Sequence, residues 1–153
     1  MLNLRNLVRC LLIWVTVSCS GDNGLEDTPI LNGSVGGESW TFQYGKANLL
    51  PNGNTYEVAF YSEAETASDP CAIVTTNNGH LRFAFPANSG NYNLPLNGTS
   101  VSFELQESNM AFQATSGFIE VIEIFDLSIS GFLQANFDDG NRVEGQFRLK
   151  VCN

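Results

Sequence analysis

The only histidine is His80. Any nucleophile–histidine–acid triad in this chain would have to use it. It follows Asn77-Asn78-Gly79 and opens an apolar alternation, so a turn-flanking polar residue accounts for it without catalysis. The chain has no G-x-S-x-G elbow, no P-loop and no H-E-x-x-H. A carboxylate pair for glycoside hydrolysis is spatial rather than sequential. The nearest candidates are Glu120 and Glu123, which an unbroken strand would turn to opposite faces, with Glu120 on the face of Ile122. Asp138-Asp139-Gly140-Asn141 offers oxygens that suit calcium. It lacks the ligand ladder and closing Glu of an EF-hand loop, and reads as a hairpin turn. No cofactor motif is present, and the chain is expected not to be an enzyme.

Four cysteines remain. Two lie in or beside an N-terminal segment with Arg5 and Arg9, then the apolar run Cys10-Leu11-Leu12-Ile13-Trp14-Val15-Thr16-Val17. Positive stretch, short apolar run and small-residue boundary form a secretory signal. A transmembrane helix needs roughly 20 apolar residues, and Arg9 and Gly21-Asp22-Asn23 close this run too soon. The boundary Val17-Ser18-Cys19 resembles the lipobox of bacterial lipoproteins, with Thr16 where that family usually has leucine. The resemblance implies cleavage before Cys19 and lipid on its thiol and amine. Each buried CH₂ contributes ~0.8 kcal/mol, and two or more chains hold firmly. Residues 1–18 are then a signal peptide and 19–29 an acidic tether carrying Asp22, Glu26 and Asp27. Ser20 after the cysteine implies the bacterial outer membrane, on its periplasmic or cell-surface face. The alternative is a plain secreted protein.

Cys10 leaves with the leader and Cys19 carries lipid. Cys71 and Cys152 are left, an even number in an oxidising compartment, which reads as a disulfide. Closing a loop of about 80 residues contributes ~4–5 kcal/mol in the chain-entropy picture. A metal site would need more ligands, and a catalytic thiol a nearby base.

Residues 19–153 carry five Lys and Arg against sixteen Asp and Glu, a formal charge of −11. No basic patch exists for a phosphate backbone, which argues against nucleic acid as a partner. The expected partners are the membrane, through Cys19, and an envelope protein or glycan.

What must hold these residues in place is a sheet. Residues 30–153 make one domain of ordinary size. "SWTFQYG", "TYEVAFYSE", "HLRFAFP" and "SVSFELQ" each alternate with period two. Gly36-Gly37, Asn52-Gly53, Asn78-Gly79, Asn97-Gly98 and Gly140-Asn141 mark reversals. Asn32-Gly33-Ser34 and Asn97-Gly98-Thr99 match the glycosylation sequon, but read as turns in a bacterial protein. The last third predicts three antiparallel strands near 117–124, 127–137 and 142–151, with Gly131 and Gly145 marking bulges or close backbone approach. A helix over 118–125 is disfavoured by its β-branched content. The expectation is all-β, with eight or nine strands in an antiparallel β-sandwich; the alternative is a β-barrel, which as a lipocalin-like form would carry a small apolar ligand. The bridge from Cys71 would pin the last strand.

The rhythm "GFIEV…DLSISGFLQANF…VEGQF", with Asn32-Gly33 and Trp40 near the start, resembles small uncharacterised lipoproteins of the Bacteroidota type. The resemblance implies an all-β fold and an envelope address, and transfers no catalytic residue. Trp40, Tyr44, Tyr56, Tyr61 and Tyr92 could stack on a sugar or peptide, though sandwiches bury most aromatics. The segment Pro86–Gly98 is the expected recognition loop, with Asn91, Tyr92 and Asn93 at its centre.

Overall fold

The structure is a computed structural model that describes residues 30–62, 69–72, 79–105 and 110–152. The leader, Cys19 and the tether lie outside these residues. The described residues are all-β. Eleven strands form one sheet: β1 Asn32–Val35, β2 Glu38–Thr41, β3 Tyr44–Leu49, β4 Thr55–Tyr61, β5 His80–Pro86, β6 Gly90–Leu94, β7 Ser102–Leu105, β8 Met110–Gln113, β9 Ser116–Phe125, β10 Ser128–Asn136 and β11 Arg142–Cys152. The main order is β6-β9-β10-β11-β3-β4-β5-β7-β8, with β1 and β2 added beside β11. All strand pairings are antiparallel except β11 with β3, and the isolated bridge from Ile30 to Gln146 is also parallel.

That order forces the sheet to curl. β5 and β6 stand six places apart, ~29 Å in a flat sheet, yet only Ala87, Asn88 and Ser89 join them. Four residue steps reach ~14 Å at most. Similarly, Ala114 and Thr115 alone join β8, at one end of the order, to β9 near the other. The sheet therefore folds over itself into a half-barrel. Rings of Phe85 on β5 and Tyr92 on β6 meet across the fold, 6.4 Å between centroids.

The inward residues are those of the period-two pattern. Along β11, Val143, Phe147, Leu149 and Val151 are buried while Arg142, Arg148 and Lys150 are exposed. Phe60 and Phe147 meet edge to face at 5.2 Å, and Phe42 packs on Phe60 at 5.9 Å. Phe60, Phe85, Leu81, Ile119, Ile129 and Leu133 are fully buried in one continuous core. Burial of this kind contributes ~1.5–3 kcal/mol per large side chain.

Three details differ from the sequence reading. "SWTFQYG" is two strands, because Phe42 N–H donates to the Leu31 carbonyl and Gln43 N–H to the Tyr61 carbonyl; the chain changes partners there. Asn32-Gly33-Ser34 lies in β1 rather than a turn. A Cβ at Gly33 would overlap the Arg142 carbonyl, so this glycine permits close approach of β1 to β11. Leu127, expected to open the strand near 127–137, lies in the two-residue turn between β9 and β10 and is exposed. The glycine turns at 36–37, 52–53, 97–98 and 140–141 are where expected, and Asn78 of the Asn78-Gly79 pair lies outside the described residues. Gly36 and Gly37 both take positive φ between β1 and β2, as do Asn97 and Gly98 between the reciprocally bonded Leu96 and Thr99.

Candidate binding face

The site residues expected from sequence fall in separate places. Cys71 and Cys152 are bonded to one another, with Cα atoms 5.5 Å apart. Cys71 sits in a 3-10 turn, Pro70–Ala72, that belongs to the excursion between β4 and β5. Asp69 caps this turn: its Oδ1 accepts from the Cys71 N–H and from Lys150 Nζ, each at 3.0 Å. The Cys71 N–H and Lys150 lower the Asp69 pKa. The excursion is thus tied at two points to the last strand.

Asn91, Tyr92 and Asn93 form most of β6, an edge strand, rather than a loop. The cause is pairing: this segment runs beside β9, Asn91 opposite Glu120 and Asn93 opposite Phe118. Tyr92 points inward. Its hydroxyl donates to the Asn88 carbonyl and accepts from Asn88 Nδ2, both at 2.8 Å. Burial raises its pKa. Asn91 and Asn93 are exposed on the outer face.

Trp40 is buried, its Nε1 donating to the Gly79 carbonyl. Tyr61 is buried and stacked between Tyr44 and His80, at 5.0 and 5.5 Å. Register explains this row: Tyr44, Tyr61, His80 and Glu104 stand opposite one another on β3, β4, β5 and β7. His80 Nε2 lies 3.5 Å from Glu104. Burial lowers the His80 pKa more than Glu104 raises it, and Arg82 and Lys46 lower it further. Arg82 bridges Glu57 and Glu104. Burial opposes its charge, but the two carboxylates outweigh that and raise its pKa. No serine, threonine or cysteine hydroxyl or thiol bonds to His80 among the described residues. The row is a stacked and ion-paired strip across β3, β4, β5 and β7.

The Asp138–Gly140 segment is a 3-10 turn closed by its own bonds. Asn141 Nδ2 donates to the Asp138 carbonyl, and Asn141 Oδ1 accepts from Gly37 N–H. Among the described residues no group of three His, Cys, Asp or Glu could hold a metal.

The concavity that sequence reasoning missed lies on the outer face of β9, β10 and β11. A bulge shapes it. Val121 pairs with Gly131, but Glu123 pairs with Ser130, so one extra residue enters β9. Ile122 and Glu123 are both exposed, while Ile124 returns to the core side. Glu120 and Glu123 therefore do not fall on opposite faces, as an unbroken alternation requires. The groove beside the bulge has a volume of about 540 Å³. Its floor includes Gln146 and Arg148. Its walls are Ile122 and Glu123 on one side, and Ile30 with the Thr41-Phe42-Gln43 link on the other. Its lining mixes apolar side chains with amide, hydroxyl and charged groups, the usual composition of a recognition site. Beyond it on the same sheet face, Phe118 and Phe132 stack at 5.7 Å, with Asn93 opposite Phe118. The only sequence signal for the groove was the glycine at 131.

No protein-family model, curated protein or solved structure matches the chain.

Proposed function

We propose that the protein is a non-enzymatic binding module, lipid-anchored through Cys19 at the bacterial outer membrane, whose outer groove takes an envelope protein or glycan. The anchor reading is supported by the leader and its Val17-Ser18-Cys19 boundary. The binding reading is carried by the groove between Ile30 and Ile122, which offers apolar walls and hydrogen-bonding groups together. A carrier of a small apolar ligand would need a hollow interior, and Phe60, Phe85 and Leu133 occupy the inside of the curl fully buried.

In-cell photo-crosslinking tests the binding reading. A photoreactive residue at Gln146 is expected to give an adduct of defined mass, lost when Ile122→Glu is added. Equal labelling from Ala84, on the outer face of β5, or no adduct at either position, would contradict it.

A further inference from the structure

The turn between β9 and β10 exposes two large apolar side chains. Phe125 is 69% exposed and Leu127 46% exposed, side by side around Asp126. A second concavity runs along this tip, lined by Phe125, Asp126, Leu127, Ser128 and Arg148. Arg148 also lines the groove that holds Ile30 and Ile122. Four of the five exposed large apolar side chains among the described residues thus border the two concavities that share Arg148; the fifth is Leu49. Apolar residues grouped in this way mark an interaction surface.

Charge narrows what the surface meets. Arg82, Arg142 and Lys150 are each ion-paired. Arg148 donates to Ser128 Oγ at 3.4 Å and has no ion pair among the described residues. A guanidinium between exposed apolar side chains suits a surface that is apolar below and carries phosphate above, because its planar fork bonds phosphate oxygens in pairs.

Chain direction gives the third observation. β1 runs antiparallel to β11, Ser34 opposite Arg142 and Asn32 opposite Glu144, and Leu31 N–H bonds the Gln146 carbonyl. Followed back to Ile30, the chain comes level with Gln146 through an isolated parallel bridge, two residues short of Arg148 and toward the end of β11 where Ser128 faces Lys150 beneath the tip. Only eleven residue steps separate Ile30 from Cys19, a reach of ~36–40 Å at full extension.

From these three observations we infer that the Phe125–Leu127 tip dips into the headgroup layer of the bilayer holding the chain's own lipid, with Arg148 on lipid phosphate. The inference rests on the anchor reading at Cys19. The tether makes contact intramolecular, so two side chains suffice where they would not hold a free protein. Asp126 lies within the tip and Glu123 just before it, so contact is confined to the two apolar side chains and Arg148, on a surface with only a minor share of anionic lipid. The groove then opens beside the headgroups, and its partner is one that lies along the membrane surface.

The test uses the full precursor, produced in a bacterium that processes lipoproteins and reconstituted into vesicles of phosphatidylethanolamine with a minor share of phosphatidylglycerol. The processed chain keeps only the buried Trp40 as background. In Phe125→Trp, the new indole is expected to lose more than half its emission when the lipids carry bromine on their acyl chains. Adding Arg148→Glu should at least halve that loss. Gln113→Trp, on the exposed side of β8, should lose less than a tenth. Intact mass is recorded on the same sample. Lipid on Cys19 with unquenched Phe125→Trp, or equal quenching at both positions, overturns the docking alone. A bare Cys19 thiol overturns the anchor and the docking with it.

Discussion

Glu123 on β9 pairs with Ser130 on β10, the place an unbroken ladder would give to Ile122. This single extra residue turns Ile122 and Glu123 to the same outer face and makes one wall of the groove. Gly131, opposite Val121, is what lets the ladder slip. A Cβ there would overlap the Glu120 carbonyl and the Phe147 ring. Gly131→Ala is therefore expected to destabilise the domain by about 1–3 kcal/mol, the usual range for overpacking. Urea unfolding would show a lower midpoint at unchanged slope. A midpoint equal to that of the wild type would mean that the glycine is dispensable.

The Cys71–Cys152 bond spans 81 residues. Cys71→Ser should lower stability by roughly 2–5 kcal/mol, within the range for a loop of this length. Reductant should lower the wild type equally and leave the variant unchanged. Lys150→Ala, which removes the exposed ion pair with Asp69, should lower stability by less than ~1 kcal/mol. A wild type indifferent to reductant would contradict the covalent tie.

His80 is neutral-favouring in the fold, since burial holds its pKa below 6.5 against the pull of Glu104. The unfolded chain takes up its proton at higher pH than the folded chain does. Stability from this source is complete above 6.5 and is lost as pH falls through the window between 6.5 and the folded pKa. Urea midpoints across that window should fall more steeply for the wild type than for His80→Gln. Parallel slopes would show that His80 does not titrate differently on folding. Asp69, with its lowered pKa, adds a separate loss at more acid pH in both chains.

Much of the architecture was legible in the residues. The strand expected near 142–151 is β11, and Gly36-Gly37 and Asn97-Gly98 placed two tight turns. Cysteine arithmetic paired Cys71 with Cys152. The rest depended on non-local pairing, which period-two patterns do not encode. Pairing with β9 made Asn91-Tyr92-Asn93 a strand and turned Tyr92 inward. The change of partner at Phe42 broke one apparent strand into two. Apart from Gly131 the groove left no trace in the sequence, for the same reason: Ile30, Gln43, Ile122 and Arg148 are far apart in sequence and meet only once β1 and β9 flank the β10–β11 pair. A bulge also inverts the face of each residue after it, so alternation misassigned Glu123.

Ile122→Glu separates binding from folding. Ile122 is half exposed, so the substitution should change stability by no more than ~0.5 kcal/mol. It should nevertheless abolish the crosslink from Gln146. Loss of the crosslink together with a large fall in the urea midpoint would instead indicate that the groove had collapsed.

The anchor is the point on which address, docking and partner class all turn. Mass spectrometry of the N-terminal peptide of protein isolated from its own bacterial membranes tests it directly. The expected peptide begins at Cys19 and carries diacylglyceryl on the thiol and an acyl group on the amine. A peptide beginning elsewhere, or a Cys19 with an unmodified thiol, would contradict the lipid-anchored module.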